Sequence, residues 1–163
     1  MTAPAESELP AVTHSAGVRV APVAYYLAGL IAGFAHDLLL GIVPTLPLPL
    51  RPIGAVALVF GLTIGGLGLF ALHRAGTAID PMRSTTALVT GSVYSVTRNP
   101  AYLGLTLAYA GVAVLGTSAA SLLLLPIVVL LISTLVIQRE EHYLSAIFGI
   151  AYEDYRRKVR RWL

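Results

Sequence analysis

The sequence predicts an all-α integral membrane protein: a bundle of four transmembrane helices followed by a cytoplasmic amphipathic helical tail. Three observations carry that prediction. Of the 163 residues, 56% are apolar and only 12% charged, against roughly 25% charged in an ordinary soluble domain. A single soluble domain of this length cannot hide so many Leu, Val, Ala and Ile side chains from water. The charges are also spaced as a membrane requires: the 21 residues from Pro52 to Leu72 and the 40 from Asn99 to Gln138 contain no Asp, Glu, Lys, Arg or His. Finally, the cations gather on one side of such a bundle. There is no Cys, which excludes disulfides, a thiolate nucleophile and Cys-ligated metal or iron-sulfur sites.

A crossing helix needs about 20 mostly apolar residues. Residues 1–20 contain Glu6 and Glu8 and lack the basic start and cleavage site of a signal peptide, so they read as a disordered cytoplasmic leader. The first span runs from about Pro22 to Val43, apolar except for His36-Asp37; Pro44, Pro47, Pro49 and Pro52 then make a short, stiff connection. The second span is Pro52 to Leu72. The 40-residue run makes two spans, at about 100 to 116 and 119 to 138, if it turns at Gly116-Thr117-Ser118. Residues 21–138 are thus the membrane domain and 139–163 the tail. In the tail Leu144, Ile147, Phe148, Ala151, Tyr152, Tyr155, Val159 and Trp162 recur at steps of three or four, one helical face with Gly149 the only expected break.

Four spans put both termini and the 73–98 loop on one side. That side holds Arg19, Arg74, Arg83, Arg98, Arg139, Arg156, Arg157, Lys158, Arg160 and Arg161, and the other Arg51 alone. Because cations are retained in the cytoplasm, the expectation is a multi-pass protein of the cell inner membrane with cytoplasmic termini. Cations beside a membrane argue for lipid phosphates as their partners rather than nucleic acid.

Chemistry must come from polar residues that hydrocarbon would otherwise expel. Two clusters stand out: Gly91 to Gly104, which opens the third span, and Arg139-Glu140-Glu141, which closes the fourth. The two spans form a hairpin of nearly equal arms, so these ends are neighbours and Arg98 and Arg139 approach Glu140 and Glu141. Pro100 suits the first turn of its helix, with Asn99 the natural cap before it. His36-Asp37 lies nearer the other surface, as a structural pair or part of a substrate tunnel. Few histidines with no spaced carboxylate partner make a metal site improbable.

The order Gly91-x-x-Tyr94-x-x-x-Arg98-Asn99-Pro100-x-Tyr102-x-Gly104, a hydrophobic hairpin, then Glu140-Glu141-x-x-Leu144, Phe148-Gly149, Tyr152 and Tyr155 resembles the isoprenylcysteine carboxyl methyltransferase and phospholipid methyltransferase superfamily. These are membrane enzymes that use S-adenosylmethionine. The resemblance spans roughly Gly61 to Trp162, with Asn99 where the family often has His. It implies that Tyr94, Val96, Arg98, Asn99 and Pro100 line the cofactor, that Tyr102 and Gly104 shape the pocket, and that Glu140 and Glu141 hold the cofactor's ammonium or ribose hydroxyls. It further implies that Arg139 or Arg160 faces the acceptor or the cofactor carboxylate, that Tyr152 and Tyr155 close the site from the tail, and that Gly66 and Gly68 match an upstream G-x-G.

Transfer from a sulfonium is an in-line displacement, and orienting the reactants is worth roughly 7 to 11 kcal/mol. A carboxylate acceptor needs a cation to position it, for which Arg98 or Arg139 is suited. A phospholipid amine must lose a proton before attack, and Glu141 or Tyr102 would have to take it. The expected function is S-adenosylmethionine-dependent methylation of a lipophilic acceptor from the bilayer, nearest to the isoprenylcysteine carboxyl branch. The alternatives are a phospholipid amine or a thiol as acceptor, or a catalytically silent relative.

Overall fold

The computed structural model describes residues 15–41 and 47–163. Helix α1 is Pro22–Leu39, α2 Arg51–Arg74, α3 Pro100–Leu115, α4 Ala119–Ile132, α5 Gln138–Phe148 and α6 Ile150–Lys158. One turn of 3-10 helix precedes α2 at Leu48–Leu50 and another, Ser92–Ser95, lies before α3. No strand occurs among the described residues. Three helices are long and apolar enough to cross a membrane: α1, α2, and the continuous stretch Ala119–Phe148 that joins α4 to α5. The remaining one, α3, is apolar but has 16 residues, about 24 Å at 1.5 Å per residue. That is short of the ~30 Å of hydrocarbon.

The ends of the helices follow from local chemistry. Helix α1 stops at Leu39, earlier than the expected Val43, because Gly41 adopts φ +61° and the Leu40 and Gly41 amides turn back to the His36 and Leu38 carbonyls. Val43 and Pro44 lie outside the described residues. Pro100 occupies the first turn of α3 as expected. The predicted hairpin is present: Thr117 turns at φ +54°, and the Ser118 hydroxyl accepts the Ser121 amide to start α4. At the far end α4 does not stop near 138. It passes through a π-helical turn at Ser133–Ile137 straight into α5. A turn of this kind re-aims the residues after it and is common beside functional sites.

Glycine decides the packing of α2 on α3. Gly54, Gly61 and Gly68 recur at seven-residue steps on the buried face of α2, and a Cβ on Gly104 would stand 2.5 Å from the Gly61 carbonyl oxygen and 2.6 Å from the Gly65 backbone. Backbones therefore touch along this seam. Helix α1 packs on α4 in the same way through Gly33, where a Cβ would meet the Ser121 backbone at 2.5 Å. Asp37 is buried at that contact: the Ser118 hydroxyl donates to its carboxylate at 2.7 Å and the Ala120 amide at 3.4 Å, with His36 Nδ1 3.3 Å from the other oxygen. Asp37 thus joins α1 to the start of α4, far from the clusters around Arg98 and Glu141, and its place is structural.

Part of the expected leader is ordered into the fold. Val18 is buried in the same core as Tyr26, Tyr102 and Ile137, with Trp162 packed against it, and Arg139 Nη1 donates to the Gly17 carbonyl at 2.9 Å. Residues 1–14 lie outside the described residues. The tail also departs from one continuous helix. Gly149, at φ +51°, breaks it as expected, but α6 ends at Lys158 and Val159 is extended. Val159 and Trp162 are therefore not on a helical face; residues 159–163 form a strap that runs back to the start of α3.

Candidate functional site

The first turn of α3, the start of α5 and the returning strap meet at one end of the bundle. There the backbone amide of Arg98 donates to the Arg160 carbonyl at 3.0 Å, while the Thr97 hydroxyl at 3.1 Å and Asn99 Nδ2 at 3.0 Å both donate to the Arg161 carbonyl. Asn99 is therefore not a helix cap: its side chain makes no capping bond and instead fastens the strap. Val159 to Leu163 are held against residues 97–99 as a result.

Glu141 sits at the centre of this junction. Its carboxylate receives Arg98 Nη1 at 3.1 Å, Arg161 Nε at 3.0 Å and Arg161 Nη2 at 2.5 Å. Both Arg98 and Glu141 are 90% shielded from solvent. The two-pronged bond to Glu141 holds the Arg161 guanidinium even more firmly charged than usual. Arg98 Nη1 also lies 3.4 Å from the Tyr152 hydroxyl, yet its Nε is buried with no hydrogen-bond partner. Such an orphan donor in a native site calls for an explanation.

Glu140 faces a different environment. The Tyr102 hydroxyl donates to its Oε1 at 2.5 Å, and no cation lies within ion-pairing distance of it among the described residues. One carboxylate of the pair is thus doubly neutralised and the other uncompensated. Around them Tyr94, Tyr152 and Tyr155 form a small aromatic core, in which Tyr155 donates to the Tyr94 carbonyl at 2.7 Å. Burial pushes all three hydroxyls above the ordinary tyrosine range, so they remain neutral hydrogen-bonding groups.

These residues line a cavity of about 620 Å³, within the roughly 300 to 1,000 Å³ of small-molecule sites. Its polar end holds Arg98, Asn99, Tyr94, Tyr152, Tyr155, Glu140 and Glu141. From there it continues past Tyr102, Pro100 and Gly104 as an apolar groove. The floor is Ala101, Leu105 and Ala108 of α3, one wall is Leu62, Gly66 and Leu69 of α2, and the other is Pro22 and Val23 at the start of α1. The 78–89 segment forms the rim, with Thr77 accepting the Thr86 and Ala87 amides and Tyr143 accepting that of Thr85.

The sequence-expected residues divide accordingly. Tyr94, Arg98, Asn99, Pro100, Tyr102, Gly104, Glu140, Glu141, Tyr152, Tyr155 and Gly66 line the cavity. Gly68 does not: a Cβ there would meet the Pro100 ring at 3.0 Å, so it serves the α2–α3 seam. Val96 is 63% exposed, Arg139 is spent on the Gly17 carbonyl, and Arg160 contributes its carbonyl while its side chain is exposed. The position that sequence reasoning missed is Arg161, one residue on. Helical counting could not have found it, because the strap is not helical.

The phospholipid methyltransferase family model matches residues 50–151, well over half of the chain. That stretch contains α2, α3, α4 and α5 and most of the residues that line the cavity. No curated protein and no solved structure gives a significant match.

Proposed function

The chain belongs to the phospholipid methyltransferase family, and from that premise we propose that it transfers a methyl group from S-adenosylmethionine to a lipophilic acceptor arriving from the bilayer. The observation that carries this reading is the shape of the cavity: a charged, aromatic-lined end continuous with an apolar groove between α1 and α2. Such a shape suits two molecules of opposite character placed end to end.

The residues suit the cofactor. The orphaned Arg98 Nε is a buried donor for an anionic group such as its carboxylate, and the uncompensated Glu140 carboxylate is suited to a cationic one. Tyr94, Tyr152 and Tyr155 offer a buried aromatic wall, which lowers the local dielectric and strengthens these contacts. When bound, S-adenosylmethionine supplies an electrophilic methyl group on a sulfonium. The protein's part is to align the acceptor with it, and the apolar groove limits the acceptor to one orientation.

The charge pattern favours an amine acceptor over a carboxylate. Both arginines of the site are committed to Glu141, so a carboxylate in the groove would find no free cation and would lie beside Glu140. An amine there meets no such mismatch, and with Glu140 given to the cofactor's ammonium the site keeps no cation for an acceptor carboxylate. This supports a phospholipid amine above the isoprenylcysteine carboxyl that the motifs alone suggest. The same reading has all four helices crossing the membrane, α3 shielded along its length by α2, and the site facing the cytoplasm of the cell inner membrane. Ten of the eleven cations at this end of the bundle support that orientation.

The test is to reconstitute the protein in vesicles containing phosphatidylethanolamine, or in neutral vesicles with a prenylcysteine acceptor, and add methyl-labelled cofactor. Label in the lipid fraction that mild base does not release as volatile methanol is the expected result. Base-labile label on the prenylcysteine would establish the ester chemistry instead, and no label in either would remove the enzymatic reading.

A further inference from the structure

We infer that the exposed cations at the end of α6 and in the strap form a docking surface for anionic lipid headgroups, which hold the strap against Arg98, Asn99 and Glu141 at the polar end of the cavity. The inference rests on the proposed cofactor site only for its second half, the coupling to cofactor affinity.

Depth comes first. The strap is tied through the Arg160 carbonyl to the Arg98 amide, two residues before Pro100 begins α3. A membrane-embedded α3 puts this point at the level of the headgroups. The 30-residue helix Ala119–Phe148 is about 45 Å long and overshoots the hydrocarbon, and α6 turns back at Gly149 so that its last turn comes down to the same level.

Charge comes second. Lys158 and Arg160 are exposed and have no ion-pair partner among the described residues. Arg157 is 80% exposed and only loosely paired, at 3.8 Å, with Asp154. Beside them Val96 is 63% and Leu163 69% exposed. Cations interleaved with bare apolar side chains match a lipid surface, where apolar groups dip below the phosphates that the cations bind.

The inner face of the strap supplies the coupling. Arg161 holds Glu141, and Thr97 and Asn99 hold the Arg161 carbonyl. A headgroup bound to Lys158 and Arg160 on the outside therefore stabilises the placement of Asn99 and Glu141 at the polar end on the inside.

Trp162 is the only tryptophan in the chain, lies in the strap and packs against the core, so its fluorescence reads the seating of the strap without any cofactor. In phosphatidylcholine nanodiscs acrylamide should quench Trp162 more strongly than in discs that also contain phosphatidylglycerol. That protection should vanish at high salt, which screens exposed charges, and in Arg157→Glu/Lys158→Glu. Inorganic phosphate added to neutral discs should not reproduce it. In the anionic discs S-adenosylmethionine should bind about fivefold tighter, the factor a single interfacial cation contributes. Equal quenching of the wild type in the two discs overturns the docking surface. Lipid-dependent quenching with unchanged cofactor affinity overturns the coupling. The salt series on the wild type decides the matter should the double variant fail to fold, and a protein that binds no cofactor in either disc refutes the methyltransferase reading while leaving the quenching result to stand.

Discussion

Replacing each of the two adjacent glutamates with glutamine should give opposite phenotypes. Glu141 and Arg98 are both about nine-tenths shielded, and Arg161 reaches Glu141 with two nitrogens. Glu141→Gln removes the charge but leaves both guanidinium groups in place. Breaking a buried pair by neutralising one partner costs about 3 to 5 kcal/mol, and here Arg98 has only Tyr152 to fall back on. Arg161 adds less, because a third of its side chain reaches solvent. The variant should therefore unfold at markedly lower temperature in detergent and lose its hold on the strap. Glu140→Gln keeps an amide oxygen for the Tyr102 hydroxyl and strands no cation, so its stability should stay close to wild type. It loses a charge-assisted bond to a cationic ligand, about 1.5 to 3 kcal/mol, or roughly a 10- to 150-fold weaker cofactor. Thermal unfolding and titration calorimetry on the same two preparations separate the cases. A stable Glu141→Gln that has lost the cofactor, beside a Glu140→Gln that binds normally, would refute this division of labour.

Three further outcomes are expected. Gly104→Ala should loosen the α2–α3 seam and destabilise the protein by about 1 to 3 kcal/mol, the usual cost of overpacking, whereas Gly66→Ala should be benign in a thermal melt because a Cβ there meets nothing within 4 Å. Ending the chain after Lys158 removes Arg161 and Trp162 and should weaken S-adenosylmethionine by tenfold or more, about 1.4 kcal/mol, in calorimetry; normal binding would show that the strap is only an anchor. For topology, Ser84→Cys and Ile150→Cys should be labelled by an impermeant thiol reagent only after cells are opened, and Leu40→Cys from outside. Ser118 is unsuitable as a probe because it is buried against Asp37.

What was legible in the sequence is what short-range physics decides. Charge-free runs mark the helices because hydrocarbon rejects charge whatever the rest of the chain does. Gly116-Thr117-Ser118 marks the turn, and Pro100 and Gly149 mark their helix ends, because each acts within a few residues of itself. Asn99 shows where that reasoning stops. A cap was the local expectation for a residue before Pro100, but a carbonyl 62 residues away offered the amide a better partner, and nothing within a helical turn could announce it. Arg160 and Arg161 fail for a related cause. On a helix the two would be separated by about 100°, but in an extended strap they alternate inward and outward; counting at steps of three and four could not tell which of them meets Glu141.

That alternation also explains why the strap carries two adjacent arginines rather than one. The inward Arg161 must compensate a buried carboxylate, and the outward Arg160 must be tolerated at the headgroup level, where it has anionic partners within reach. Exchanging the roles would bury an unpaired cation against Arg98 and leave Glu141 with a single partner. The double commitment of Glu141 then has a chemical consequence for its neighbour. With Arg98 and Arg161 both drawn to one carboxylate, no guanidinium is left for Glu140, whose partner is the Tyr102 hydroxyl, and a site without a free cation disfavours a carboxylate head on the apolar acceptor.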